Sequence, residues 1–136
     1  AGAQPPQLLA SGDLVMSAAY NGRISAAQVE GKNLKVVWNG SIYDVDSWTI
    51  PKGSPNKADA LKFIRFASQP ENQAVFSGEI AYGPVNLKAV SAIDAKVAAG
   101  LPTSPENMQG AMATDTEFWV EHGENLEQRF NAWAAR

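Results

Sequence analysis

The chain contains no cysteine and a single histidine, His122. The first absence excludes a disulfide framework and thiolate metal sites. The second denies any acidic cluster the imidazole company that most transition-metal sites use. Neither absence locates the protein, because bacterial periplasmic proteins often lack cysteine too. No run of Lys or Arg forms a basic stripe, which argues against nucleic acid as a partner. No apolar run approaches the roughly 20 residues needed to span a bilayer. The opening AGAQPPQLLASG has neither the basic start nor the apolar core of a signal peptide, as befits a cytosolic protein or a mature or truncated chain. There is no internal repeat and no low-complexity tract.

What remains is ordinary globular composition: 136 residues, 45% hydrophobic, 18% charged, with a formal net charge of −3. That length is enough for one domain with a real core. Residues 1–7 are polar and proline-bearing and are expected to be loose. Leu8 to Ser11 closes a helix near Gly12, and Asp13 to Tyr20, DLVMSAAY, reads as a buried strand. A short helix is expected over Arg23 to Glu30 with Gly31 just past its end. Leu34 to Val37 is a short strand candidate. Ser54 and Pro55 have the chemistry of a helix start, followed by an apolar stripe of Ala58, Leu61, Phe63, Ile64 and Ala67. Ser68 and Glu71 have capping-box spacing around Pro70, so a second helix should run to Gly78. Lys88 to Ala99 reads as one helical run ending at Gly100. The last helix should start near Thr114, paired with Glu117, and present Leu126, Phe130 and Trp133 on one face, with Trp133 in the core. Strands alternating with helices imply an α/β fold.

The most informative stretch is Trp38 to Pro51, WNGSIYDVDSWTIP. Its β-branched and aromatic residues favour an extended strand, on which Asp44 and Asp46 would point the same way, with Trp48 next in the row. Two like charges side by side repel, so the pair calls for a cation: a protein Arg or Lys, a metal, or an organic amine. As a metal site the pair lacks company, and a structural ion pair with Arg23 or a lysine is the plain alternative. Same-face strand carboxylates also stand at roughly the 5–5.5 Å separation of retaining glycosidases, which keeps a small hydrolase in view. Tyr20, before Asn21-Gly22, and Tyr82, before Gly83-Pro84, place rings at a strand end and on a tight turn. Such rings attract an ammonium group by about 0.5–2 kcal/mol, so rings and carboxylates together suggest an amine box.

Four segments in order, AAYNGR, then IYDVDSWTIPKGSPNKADALKFIRFASQPENQ, then IAYGPVN, then FWVEHGENLEQRFNAW, resemble the C-terminal part of periplasmic substrate-binding proteins of ABC importers, the spermidine/putrescine-binding type above all. The resemblance runs from about Leu8 onward. It implies a type II periplasmic-binding-protein-like α/β fold, two lobes closing over a solute, no enzyme activity, no cofactor or metal, and a periplasmic location. It assigns ligand contact to Tyr20, Asp46 and Tyr82. Two positions depart from the pattern. Asp44 stands where an aromatic is common, and Arg23 where some relatives carry an acidic residue. A guanidinium there suggests either a ligand bearing a carboxylate as well as an amine, or an Arg23–Asp44 bridge.

Members of that family are more than twice as long. Residues 1–46 and 92–136 would then belong to the second lobe and 47–91 to the first, with hinge crossings near 46–50 and 90. The two-lobed fold would be incomplete, and the remaining N-terminal part of the same protein, or self-association, would cover the exposed faces. The other implied partners are a small amine and a membrane permease. The rival readings are the hydrolase using Asp44 and Asp46, and an interaction module whose exposed aromatics dock a protein.

Overall fold

Two prolines open the first helix. The computed structural model describes residues 2–136, and in it α1 (Gln4–Ser11) carries Pro5 and Pro6 in its first turn, where a missing N–H breaks no intrahelical bond. The segment expected to be loose is therefore helical from Gln4; Ala1 lies outside the described residues. α1 ends on Gly12 at φ +85°, a left-handed cap open to glycine without strain. α2 (Asn21–Val29) starts two residues earlier than expected, and Gly31 follows it at φ +84°.

Between these helices the expected buried strand does not form. Residues 13–20 have no strand partner among the described residues and are exposed throughout, Val15 and Met16 almost completely. Leu34 to Val37 likewise joins no ladder. Apolar, β-branched sequence favours the extended state, but a strand exists only when its N–H and C=O groups find a neighbour. The long central strand contracts for the same reason to β1 (Ile42–Tyr43), paired in parallel with β2 (Met112–Ala113) in the register Ile42 to Met112 and Tyr43 to Ala113. β2 lies in a stretch to which the sequence assigned no element. The α/β expectation survives as this single parallel pair and the helical excursion that connects it.

That excursion begins with α3 (Lys57–Ala67), capped at Asn56 rather than Ser54, and α4 (Pro70–Glu79), with Pro70 in its first turn. The expected capping box before α4 is absent because the Ser68 hydroxyl donates back to the Ile64 carbonyl, at 2.7 Å. The helical run from Lys88 is interrupted. A 3₁₀ turn (Leu87–Ala92) stops at Ile93, and Asp94 accepts from the backbone N–H groups of Lys96 and Val97 to start α5 (Ala95–Ala99). α6 (Thr116–Ala134) is capped by Asp115, which accepts from Phe118 N. Thr114 is occupied elsewhere: its N–H and hydroxyl both donate to the Tyr43 carbonyl, at 2.9 and 3.2 Å.

α3 packs on α4, α4 on the 3₁₀ turn, and α1 on α2. The buried apolar side chains in these layers are few: Ile24, Ala89 and Leu101, with Pro6 and Pro84 beside them. The accessible surface is 10961 Å², against about 6,900 Å² expected for a compact monomer of this mass. Much of the excess is apolar. On α6, Phe118, Trp119, Val120, Phe130 and Trp133 are exposed, so the expected core position of Trp133 is not observed. Helical spacing put Leu126, Phe130 and Trp133 on one face, and there Leu126 is half-buried while Phe130 and Trp133 stay exposed.

Two outcomes follow. The 136-residue chain alone should bind an apolar dye such as ANS and sediment above its 14.5 kDa monomer mass at micromolar concentration; a dye-silent monomer in analytical ultracentrifugation would contradict this packing. Ser77 is buried in α4 with no hydrogen-bond partner for its hydroxyl among the described residues. Ser77→Ala should therefore be neutral or stabilise by about 1 kcal/mol in urea titration, since an unsatisfied buried hydroxyl is removed.

Candidate functional site

The first turn of α2 is built on Tyr20. Its backbone is extended, at φ −66° and ψ 129°, and its carbonyl accepts from the N–H groups of Arg23 at 3.0 Å and Ile24 at 3.3 Å. Ile24 is buried and anchors the helix, whereas the Tyr20 ring is 70% exposed. No side chain caps this N-terminus and no acidic residue stands in its first turn. The Arg23 side chain projects from that turn without an ion pair. Among the described residues the pairs are Lys62 with Asp59 and His122 with Glu121, so the Arg23–Asp44 bridge weighed from sequence does not form.

Tyr82 reaches the same turn from the other half of the chain. The Asn21 side-chain amide donates to the carbonyl of Ala81, sixty residues on. Directly beside it, Gly22 lies against the Tyr82 ring, near Cε1 and Cζ. Gly83 backs onto the side chain of Thr103, and Pro84 is buried. Asn86 then ties the turn down from below. Its N–H donates to Gln73 Oε1 at 2.9 Å, its amide to the Ser68 carbonyl at 3.1 Å, and its own Oδ1 accepts from Lys88 N at 3.1 Å. Tyr20, Arg23 and Tyr82 therefore share one junction, between the α2 N-terminus and the turn that follows α4.

The two aspartates stand apart from that contact. They lie in the extended segment after β1, beyond the last ladder position, and both are exposed. The shared strand face expected of them is thus not enforced by a sheet. The Asp44 carboxylate accepts from the N–H of Val45 at 2.8 Å. Asp46 has no hydrogen bond or ion pair among the described residues. Trp48 tethers the segment to α3 through an edge-on contact with Phe63, ring centroids 5.1 Å apart. No group of three or more acidic or imidazole side chains is placed to hold a metal among the described residues. An apolar cavity of about 480 Å³ lies behind the Tyr82 turn between Pro84, Val90, Ile93 and Leu101, and is lined by none of the candidate residues.

Sequence reasoning named the rings and the charges but missed the residues that assemble them. Asn21-Gly22 read as punctuation, and Asn86 as part of a turn. The signal for both was the same, a small or amide residue within a few positions of a named aromatic, with nothing to say which distant segment it would meet.

Residues 1–118 match the model of the family described as bacterial extracellular solute-binding protein. The chain is 63% identical, across all 136 residues, to the gamma-aminobutyric acid-binding protein of Pseudomonas aeruginosa, and covers 39% of that protein. It is 34% identical over 89 residues to the spermidine/putrescine-binding periplasmic protein of Salmonella typhimurium, covering 64% of this chain and 26% of that one. Its fold superposes on the solved structure of a GABA receptor with a TM-score of 0.81 and 32% identity, over 98% of this chain and 41% of that chain. The chain belongs to the bacterial extracellular solute-binding family, a family of binding proteins and not of enzymes. It spans about two fifths of the length of the curated relative it matches throughout, and its fold is an incomplete version of the two-lobed periplasmic-binding-protein architecture.

Asn86 makes three hydrogen bonds at the foot of the Tyr82 turn. Asn86→Ala should cost about 1–3 kcal/mol and speed amide hydrogen exchange across residues 82–88 while leaving α6 unchanged. Uniform protection in the variant would show that the turn is held by packing alone.

Proposed function

We propose that the chain is the C-terminal part of a periplasmic solute-binding protein that delivers a small zwitterionic amine, GABA or a close ω-amino acid, to the membrane permease of an ABC importer. The observation that carries this reading is an unpaired guanidinium and an unpaired carboxylate, Arg23 and Asp46, on two segments of a chain 63% identical to a protein named for GABA binding. GABA needs one group of each charge at a fixed spacing. A diamine needs two anions.

The residue roles follow from chemistry. Arg23 takes the ligand carboxylate by a bidentate, charge-assisted pair, which a planar guanidinium suits. It does so at a helix N-terminus with no side-chain cap and no acid in its first turn, where an anion is further favoured. Asp46 takes the ammonium group. Tyr20 and Tyr82 enclose the methylenes and offer ring faces to the cation. Asp44, already bonded to its neighbour's N–H, serves as a supporting anion.

Two groups of contacts support the lobe division proposed from sequence, while Asn21 with Ala81 and Gly83 with Thr103 cross between its segments. β1 and β2 join residues 42–43 to 112–113, inside the 1–46 and 92–136 segments assigned to one lobe. α3 packs on α4 inside 47–91, and α4 packs on the 3₁₀ turn, which ends at Ala92 on the boundary. The remaining N-terminal portion would cover the exposed faces and supply the rest of the cleft.

The polyamine reading keeps support from the Salmonella typhimurium relative and from the Asp44/Asp46 pair. Calorimetry separates the two. The test protein is the Pseudomonas aeruginosa relative with these 136 residues in place of its matched segment. GABA should bind it and putrescine should not. Arg23→Ala should weaken GABA by about 10–150-fold, the worth of a hydrogen bond to a charged group at tenfold per 1.4 kcal/mol. Asp46→Asn should do the same. Tight putrescine binding that Arg23→Ala leaves intact would overturn the zwitterion in favour of the diamine.

A further inference from the structure

Gly22 and Tyr82 meet more closely than any side chain at position 22 would allow. A Cβ built on Gly22 would stand 2.8 Å from Cε1, 2.9 Å from Cζ and 3.2 Å from Oη of the Tyr82 ring. Backbone conformation does not explain the glycine, since Gly22 is helical and not among the glycines with positive φ. Helix propensity opposes it, glycine being about 1 kcal/mol worse than alanine inside a helix. What the glycine provides is clearance for the ring.

The neighbouring residues hold that approach from both sides. Asn21 fastens the same turn of α2 to the Ala81 carbonyl, the residue before Tyr82. On the far side, Gly83 is pressed against the Thr103 side chain, which prevents the turn from sliding back. Asn86 fixes its lower end. The backbone of the turn is thus held on both sides, and glycine is what lets the ring occupy the space against α2.

We propose that Asn21 and Gly22 form a brace that fixes the distance between the Tyr82 ring and the first turn of α2, and that Gly22 thereby sets the length of ligand the site accepts. The inference rests on the reading that Tyr20, Arg23 and Tyr82 line the solute site. With the carboxylate held at Arg23, the ring position limits how many methylenes fit before the ammonium group. A methyl group at position 22 pushes the ring away and lengthens the site. Gly22 touches no ligand and acts as a positioning residue through Tyr82.

The test uses the same grafted protein with GABA and its homologue longer by one methylene, 5-aminovalerate. Gly22→Ala should narrow the preference for GABA over 5-aminovalerate by about tenfold or more, in the range that one methylene is worth to an apolar pocket. A merely structural role would weaken both ligands alike and leave their ratio fixed. In a Tyr82→Ala background, Gly22→Ala should have no further effect on the ratio. A ring-current shift of the Gly22 α-protons, abolished by Tyr82→Leu, should report the brace in the ligand-free protein. An unchanged ratio in Gly22→Ala, or effects of the two substitutions that simply add, would overturn the proposal. Failure of the unsubstituted graft to bind either ω-amino acid, with the ring-current shift present, would overturn the ligand reading and the length selection while retaining the brace. Absence of the shift would overturn the brace itself.

Discussion

One parallel pairing, Ile42–Tyr43 against Met112–Ala113, governs the layout of the chain. Parallel strands cannot be joined by a tight turn; they need a crossover long enough to return the chain to its starting edge. Here the crossover holds α3, α4, the 3₁₀ turn and α5, and it carries Tyr82 back to the α2 N-terminus. The hydroxyl and N–H of Thr114 both close on the Tyr43 carbonyl, which pins the strand ends where the Asp44-to-Ile50 segment departs. Every candidate ligand residue lies within a few positions of a place where this excursion leaves or touches the flanking elements.

Helix stops were written plainly. Gly12, Gly31 and Gly100 fall where local reading put them, the first two because a left-handed residue there is open to glycine without strain; Gly100 caps α5 with ordinary right-handed backbone. Helix starts were less legible because polar side chains have rival partners. Ser68 turned to Ile64, and Thr114 to Tyr43, leaving the capping to Gln69's extended backbone and to Asp115. Strands were the least legible. DLVMSAAY and LKVV have strand composition yet stand without ladders, since pairing depends on a neighbour that no local pattern specifies. β2 was overlooked for the converse reason: two residues carry almost no strand signal, and the partner edge alone makes them one.

The candidate site divides along the same line. Tyr20, Arg23, Asp44, Asp46 and Tyr82 were visible as residue types suited to an amine ligand, and their family resemblance agrees with the bacterial solute-binding proteins that the chain matches. The meeting of Tyr82 with Gly22, and of Asn21 with Ala81, was not visible, because it joins segments sixty residues apart. On the proposed reading, the departure at Arg23 matters more than that at Asp44. Unpaired, and set on an uncapped helix start, it favours a ligand with an anionic end, while Asp44's carboxylate is turned to its own backbone.

The strand pairing also orders events during synthesis. Tyr43 waits for Thr114, 71 residues later in the chain, which at about 5–20 residues per second is a delay of about 4–14 s. Throughout that interval β1 lacks the β2 partner it has among the described residues, while α3 and α4 can already fold on each other. The stretch around β1 is therefore the part of this chain most open to chaperone capture or mispairing until residues 112–113 have been made.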